Sequence, residues 1–490
     1  MQERTRSRVE RGDWQTPPEL ARQVVAVLAE DLGLVPDAVV EPTCGRGAFL
    51  VEAARRWPGA VLFGLDIDPD HVAHARVRLP CARLIVGDFF STPWEEILNE
   101  FEGELLVLGN PPWVTSSALG ALGSANLPPR ENIRRMRGIE ALTGSGNFDV
   151  SEWMILRLLR ACRSRRATLA LLCKTAAARR VMDDCARERW NVRGELHGLD
   201  ARRHFDAAVD AVLMILRVQP GEPPEADVRW PVFPRLGSRD GAMEIGVVDG
   251  ALVRDVAAFA RTRHLVGSEG PTWRSGIKHD CARVVELRPS GRGWVNGYGE
   301  RVSIEPDLVY PLLKGSDVAN GRLVPARWLL VTQTKLGEDT KYIQSAHPRT
   351  WAYLLRHAEA FAARKSRIYA DEPPFAMFGV GEYTFAPWKL AICGLYKRLS
   401  FRLVGPFEGK PVVLDDTCYF LPFSREEEAR LYYELFTSEE ATDFFHARIF
   451  WDAKRPIRRD VLQSLCPRRL ARALGREAEL ARFDHRLALR

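Results

Sequence analysis

The chain has 490 residues, of which 46% are hydrophobic and 27% charged, and its net charge is +6. This balance is typical of a globular protein of about two to four domains and excludes a disordered, collagen-like or coiled-coil chain. No apolar run is long enough for a membrane helix, the charged N-terminus does not resemble a signal peptide, and nine cysteines lie scattered without a Cys-x-x-Cys pair. We therefore expect a cytoplasmic protein without disulfides or a structural metal.

The first 216 residues alternate short apolar runs with amphipathic stretches, which predicts βαβ units on a mostly parallel sheet. The predicted strands are Ala38–Glu41, Val61–Asp66, Arg83–Gly87, Leu105–Gly109, Thr168–Cys173 and Ala211–Arg217. The predicted helices are Pro18–Glu30, Gly47–Arg56, Pro69–Arg78 and Ser151–Arg160. The fold class is therefore α/β.

A stretch rich in Pro, Gly and Glu follows Arg217 and ends this pattern. It predicts a domain of residues 1–217, a linker over 218–240 and a second, mixed α+β domain over 241–490. Within the second domain, Ser424–Phe445 is predicted to be helical with a capping box at Ser424. From Arg448 to Arg490 there are twelve Lys and Arg against five Asp and Glu. Such a basic segment fits either a surface for nucleic-acid phosphates or a solvated helix face.

A glycine-rich turn, Pro-Thr-Cys-Gly-Arg-Gly, follows the strand that ends at Glu41. Glycine is required where the backbone bends tightly and lets a ligand approach closely. The next two strands also end in carboxylates, Asp66 and Asp88, which could accept from a ribose diol and from an adenine amine. Each carboxylate alone is better interpreted as a helix N-cap or a turn residue than as a ligand contact. All three at successive strand ends predict a nucleoside site.

The fourth predicted strand ends in Asn110-Pro111-Pro112-Trp113. Two prolines fix φ and hold the Asn side chain and the neighbouring carbonyl rigidly at the edge of the sheet. The Asn110 side-chain oxygen and the Pro111 carbonyl could accept both hydrogens of a planar amino group, and Trp113 could stack on the ring that carries it. The alternative is an ordinary β-turn with a core tryptophan.

Together these motifs resemble the gamma-class (TaqI-like) DNA adenine-N6 methyltransferases of the restriction-modification type, with Trp in place of their commoner Tyr or Phe. The resemblance covers the first 216 residues well and the rest loosely. It implies a Rossmann-like catalytic domain that uses S-adenosylmethionine, followed by a target-recognition domain. The residues that would hold the cofactor are Thr16, Pro17, Glu41, Thr43, Gly45, Gly47, Asp66, Ile67, Asp88, Phe89 and Asn110. Those that would grip a flipped adenine are Asn110, Pro111, Pro112 and Trp113, with Phe205 either the second face of the base sandwich or a core aromatic.

Double-stranded DNA is the partner that the resemblance implies, and a nuclease on another polypeptide would complete a restriction or defence system. A base-modifying enzyme must hold the strands around its extruded target, which calls for cations beside aromatic rings. The predicted phosphate contacts are Arg130, Arg134, Lys278, Lys314, Arg367, Lys389, Lys454, Arg455 and Arg458. A solvated surface charge is the alternative for each of them.

Other functions fit some of these motifs. RNA adenine methyltransferases and protein glutamine methyltransferases use the same Asn-Pro-Pro-aromatic chemistry, although the latter are much shorter. Asp371 with Glu408-Gly-Lys410 resembles a metal-dependent nuclease site, but the second segment is better interpreted as a turn between strands. A binding protein that has lost catalysis is disfavoured by the intact Asn110 and the glycine-rich turn.

Overall fold

The computed structural model describes residues 15–114, 149–221, 225–291 and 293–483, and the chain divides into two compact units between Ala257 and Ala258. This boundary is later than the predicted one. Residues 218–240 contain a strand, Val228–Phe233, and not only a linker. The Pro- and Gly-rich stretch after Arg217 is therefore a connection within the first unit. No helix in the described part of the chain has the length and apolar character needed to cross a membrane.

The described residues of the first unit form one ten-stranded sheet, in the order β10-β9-β8-β6-β7-β5-β4-β1-β2-β3. Strand β1 is parallel to both β2 and β4, which are in turn parallel to β3 and β5, and β7 lies antiparallel between β5 and β6. The strands are β1 (Ala38–Glu41), β2 (Val61–Asp66), β3 (Arg83–Val86), β4 (Leu105–Gly109), β5 (Ala167–Lys174), β6 (Val192–Leu199), β7 (Ala211–Val218), β8 (Val228–Phe233), β9 (Met243–Val248) and β10 (Ala251–Val253).

Helices connect these strands as the α/β prediction requires. They are α1 (Pro18–Ala26), α2 (Ala48–Arg56), α3 (Pro69–Arg78), α4 (Trp94–Asn99), α5 (Val150–Ala161), α6 (Thr175–Arg187) and α7 (Ala201–Phe205). A π-helical turn, Val27–Asp31, continues α1 and accounts for the longer helix predicted there. Apolar side chains from α1, α2 and α3 pack with those of β1, β4, β5 and β7 in one buried core.

The second unit contains two smaller sheets and several short helices, which agrees with the predicted α+β class. One sheet has the order β11-β20-β17-β18 and the other β14-β13-β12-β16-β15-β19. Its strands are β11 (Arg274–Ser275), β12 (Glu286–Ser290), β13 (Gly293–Val295), β14 (Arg301–Val302), β15 (Val309–Leu313), β16 (Arg327–Leu330), β17 (Trp388–Cys393), β18 (Arg402–Val404), β19 (Val413–Leu414) and β20 (Cys418–Phe423).

The helix at the unit boundary is α8 (Val256–Thr262). Those that follow are α9 (Ala282–Val285), α10 (Gly315–Ala319), α11 (Tyr342–Ala346), α12 (Pro348–Arg356), α13 (Ala358–Ala362), α14 (Glu426–Phe436), α15 (Glu439–Arg448), α16 (Arg459–Gln463), α17 (Pro467–Ala473) and α18 (Glu477–Ala481).

The single helix predicted over Ser424–Phe445 is two helices, α14 and α15. The residue before α14 is Arg425, which makes no side-chain cap, so the predicted capping box at Ser424 is wrong. The break lies at Thr437 and Ser438, and the Ser438 hydroxyl accepts from the Ala441 N–H at the start of α15. A serine cap that begins the second helix explains why the helical pattern continues across the break.

Candidate active site

Three of the predicted site residues lie where the carboxyl ends of β1, β2 and β4 meet. Strand β1 is the central one of the three, and the strands are parallel, so Glu41, Asp66 and Asn110 follow neighbouring strands at one edge of the sheet. In open α/β sheets this edge is where ligands bind. The structure therefore agrees with the expectation that these three strand ends lie at one edge, and their role in binding stays a prediction.

The glycine-rich turn after β1 has the backbone that its sequence predicts. Gly45 and Gly47 adopt φ values of +50° and +74°, which other residues rarely adopt. The Asp66 carboxylate accepts from the Gly45 N–H at 2.7 Å and from the Asp68 N–H at 2.9 Å. The Gln15 side-chain oxygen accepts from the Arg46 N–H at 3.2 Å, so the segment that leads into Thr16 and Pro17 lies against this turn.

Glu41 places a carboxylate in the interior directly below the turn. Only 3% of the residue is exposed, and the Leu50 N–H donates to the carboxylate. Burial raises the pKa of Glu41 well above its ordinary value, and the neighbouring charge of Asp66 raises it further. Among the described residues, Glu41 Oε2 and the buried Thr43 hydroxyl have no hydrogen-bond partner. Buried acceptors rarely stay unsatisfied, so this edge of the sheet suits a ligand with donor groups.

The residues predicted to hold the cofactor at the ends of β2 and β3 differ in how exposed they are. The Ile67 side chain is 48% exposed beside Asp66 and offers an apolar face at this edge. Phe89 is only 4% exposed, and its ring packs 5.0 Å from the Trp94 ring. Asp88 is half-buried and accepts from the Phe90 N–H at 3.0 Å. Ile67 and Val86, which is 45% exposed, are therefore exposed hydrophobic residues here, and Phe89 is not.

The turn predicted to hold the target base, Asn110–Trp113 (the target-base turn), continues from β4, with Asn110 half-buried and Pro111 buried. The Trp113 indole N–H donates to the Leu172 carbonyl at 3.2 Å. The Trp113 and Phe205 rings meet edge to face, with centroids 5.1 Å apart and planes at 69°. The structure thus brings together the two rings of the predicted base sandwich, which would have to separate to admit a base. That sandwich stays a prediction.

Sequence reasoning missed one charged residue at this edge. Lys174, the last residue of β5, donates from Nζ to the Trp113 carbonyl and to Asp149, both at 2.7 Å. The sequence feature that could have identified Lys174 is its position at the end of a largely apolar strand that neighbours the strand leading into Asn-Pro-Pro. A lysine in that position has its ammonium at the same edge as the motif.

Cys44 lies in the turn but is buried, and burial raises its thiol pKa, so it is not a reactive cysteine. Asp66 likewise has a structural task, because it holds the Gly45 N–H as described. Of the residues predicted to hold a cofactor, Thr43 and Gly47 lie in this turn, and Thr16 and Pro17 lie in the segment before α1.

The predicted phosphate contacts in the second unit differ in how available they are. Lys454 is exposed, and Arg458 is exposed beside Asp460, 2.9 Å away. Arg455 donates to the Asp416 carbonyl and lies over the Tyr419 ring. Lys278 and Lys314 are half-buried and pair with Asp280 and Glu286, respectively. Arg130, Arg134 and the side chain of Arg367 lie outside the described residues.

The prediction that Lys389 contacts a phosphate is wrong. Only 1% of this residue is exposed, and its ammonium donates to the Ala386 carbonyl at 2.5 Å, so it does not reach a phosphate in this structure. Burial lowers the pKa of Lys389 to about 7. The residues of β17 from Lys389 to Cys393 are all buried, so both faces of this strand are covered and Lys389 is enclosed whichever face it occupies.

The segment interpreted as either a nuclease motif or a turn is a turn. Glu408 and Gly409 have positive φ between the paired residues Phe407 and Lys410. The Lys410 ammonium donates to the Pro306 and Val309 carbonyls. Lys410 therefore fastens one loop to the next.

A comparison with models of known protein families gives no match. The chain is 39% identical over 469 residues to the type II methyltransferase M.NspV of Nostoc sp., and this alignment covers 94% of the chain and 97% of that relative. It is 32% identical over 90 residues to the type II methyltransferase M.CvrRI of a Paramecium bursaria Chlorella virus, which is 18% of the chain and 22% of that relative.

Among solved structures, the type IIL restriction-modification enzyme MmeI in complex with DNA resembles the chain with a TM-score of 0.51 and 14% identity. The match covers 91% of this chain and spans 63% of MmeI. At this level of identity the likeness concerns the fold.

Proposed function

The chain belongs to the type II methyltransferases, and on that premise we propose that it moves a methyl group from S-adenosylmethionine to N6 of an adenine flipped out of double-stranded DNA. The observation that carries this proposal is the adjacency of two sets of acceptors on neighbouring strands. Glu41 and Thr43 present buried, unsatisfied oxygens after β1, and the Asn-Pro-Pro-Trp turn follows β4 beside them.

The residues around the glycine-rich turn fit S-adenosylmethionine. Glu41 and Thr43 would accept from its methionine part and sugar, Asp66 would accept from the ribose hydroxyls, and the exposed face of Ile67 would contact its adenine. Thr16 and Pro17 would cover the methionine part, and Asp88 would accept from the adenine amine. When bound, the cofactor supplies an electrophilic methyl group, so the protein needs no covalent intermediate of its own.

The target-base turn prepares the nucleophile. The Asn110 side-chain oxygen and the Pro111 carbonyl would accept the two hydrogens of the N6 amine, which leaves its lone pair directed at the methyl carbon. Preorganised acceptors of this kind stabilise the positive charge that the nitrogen gains as the bond forms. Trp113 and Phe205 would hold the two faces of the base.

DNA is the proposed substrate for two reasons. The fold resembles that of MmeI, whose structure was determined in complex with DNA. The exposed cations Lys454 and Arg458 lie in the basic C-terminal segment and are available for phosphates. A separate restriction nuclease would be the functional partner of such an enzyme.

The test is transfer of labelled methyl from S-adenosylmethionine to unmethylated genomic DNA, followed by digestion to nucleosides. We expect label in N6-methyl-2′-deoxyadenosine and none with Asn110→Ala. Label in N4-methyl-2′-deoxycytidine would refute adenine as the target, and label in RNA or protein but not DNA would refute DNA as the substrate.

A further inference from the structure

Strand β5 holds the target-base turn at two points. The Trp113 indole N–H donates to the Leu172 carbonyl at 3.2 Å, and the Trp113 carbonyl accepts from Lys174 Nζ at 2.7 Å. Both ends of this residue are therefore fixed by one strand. The first contact orients the ring, and the second orients the backbone that leads back to Asn110.

Asp149 in turn fixes Lys174. A lysine side chain has four rotatable bonds, and holding its ammonium in one place requires a rigid acceptor. The Asp149 carboxylate is 3% exposed and lies 2.7 Å from Nζ. Its other oxygen accepts from the Ser151 N–H at 3.2 Å and from the Ser151 hydroxyl at 2.6 Å. The Asp149 carboxylate is therefore held at the start of α5, and it cannot move with the Lys174 ammonium.

We propose that Lys174 is a positioning residue for methyl transfer. It holds the Trp113 carbonyl and, through the two prolines that stiffen the turn, the orientation of the Asn110 side chain and the Pro111 carbonyl toward the amine. This inference rests on the proposed function, because it concerns the same acceptor amine. A displacement of about 1 Å in a reacting group can cost about 100-fold in rate.

The ion pair of Lys174 and Asp149 is also compatible with the positive charge that develops on the amine during methyl transfer. The amine nitrogen gains positive charge as it bonds the methyl carbon, and an uncompensated ammonium at the same edge would oppose that change. Asp149 compensates Lys174, so the pair provides a strong donor for the Trp113 carbonyl without adding net charge. A neutral donor such as glutamine would be a weaker hydrogen-bond donor.

The chain offers a matched control for this residue. Arg180 on α6 donates to the buried carboxylate of Glu152, also in the first turn of α5, and Glu152 is 2% exposed. Lys174→Met and Arg180→Met therefore each remove a cation from a buried carboxylate between β5, α6 and α5. Only Lys174 contacts the target-base turn.

The experiment compares the two variants by steady-state methylation and by hydrogen exchange of the Trp113 indole N–H, assigned with Trp113→Phe. For Lys174→Met we expect kcat to fall about 30- to 100-fold. Its KM for S-adenosylmethionine should stay within about twofold. Its Trp113 indole should exchange faster. Arg180→Met should leave both kcat and the exchange rate near those of the wild type, and Lys174→Arg should restore most of kcat.

Three results would overturn the proposal: equal kcat losses in Lys174→Met and Arg180→Met, a loss confined to KM, or unchanged exchange at Trp113 in Lys174→Met. If the wild type methylates a different acceptor, the proposed function fails. The exchange comparison needs no methyl acceptor, so it still decides whether Lys174 holds Trp113.

Discussion

Replacing the Glu41 carboxylate by an amide should raise the stability of the cofactor-free protein and lower its affinity for S-adenosylmethionine. The carboxylate is 3% exposed, and one of its oxygens has no partner among the described residues. A buried polar group left unsatisfied costs about 1–3 kcal/mol. Glu41→Gln keeps the shape and an unpaired polar atom but removes the charge, and burying an unpaired charge costs more than burying a neutral polar group, so Tm without cofactor should rise.

The pH dependence has a definite sign. Burial raises the pKa of Glu41, so the folded protein binds this proton more tightly than the unfolded chain does. The contribution of Glu41 to stability is therefore largest below its ordinary value of 4.5 and is lost as the pH rises through the folded pKa. The Tm difference between Glu41→Gln and wild type should be small in acid and should grow as the pH rises.

Binding should change in the opposite direction. A hydrogen bond to a charged group contributes about 1.5–3 kcal/mol, which corresponds to roughly 10- to 100-fold weaker binding of S-adenosylmethionine by calorimetry. Glu52→Gln is the control, since Glu52 is also buried but pairs with Arg55 at 2.5 Å, and this change should lower Tm. A Glu41→Gln variant that binds the cofactor within about twofold of wild type, or that melts lower at pH 8, would refute this reasoning.

Two further predictions concern the second unit. Burial lowers the pKa of Lys389 from 10.5 to about 7, so the folded state loses this proton first and wild-type stability should rise with pH between those values. Lys389→Met should remove that rise in a Tm series and leave DNA affinity unchanged; a persistent slope would show that another group causes it. Replacing Lys454 and Arg458 together by glutamine should lower the slope of log affinity against log salt by about two, and an unchanged slope would exclude both residues from phosphate contact.

The parts of the fold that the sequence predicted well depend on local apolar pattern. Strand β4 is an uninterrupted apolar run ending in glycine, and its predicted bounds agree with the structure. Strand β6 was missed because Gly, Glu and His interrupt Val192–Leu199; His197 is nevertheless fully buried and stacks on Phe233. The unit boundary was placed too early because a turn-rich stretch between two strands of one sheet has the same composition as a linker.

For the candidate site, too, the sequence predicted some features and missed others. Strand-end positions were enough to place Glu41, Asp66 and Asn110 at one edge, because parallel neighbours end together. They could not reveal that Phe89 turns inward onto Trp94, that Lys389 faces the interior or that Lys174 reaches Trp113. Those outcomes depend on side-chain rotamers and on packing between distant segments, which a strand pattern does not contain.

The Val150 N–H donates to the Val114 carbonyl at 2.8 Å, beside the ion pair of Lys174 and Asp149. The two described segments that flank residues 115–148 are therefore joined by a hydrogen bond. Because this hydrogen bond joins the two flanking segments directly, their register does not depend strongly on how many residues lie between them. This site is accordingly a natural position for exchanging segments between related enzymes, and chimaeras joined at 114 and 149 would inherit an intact sheet edge.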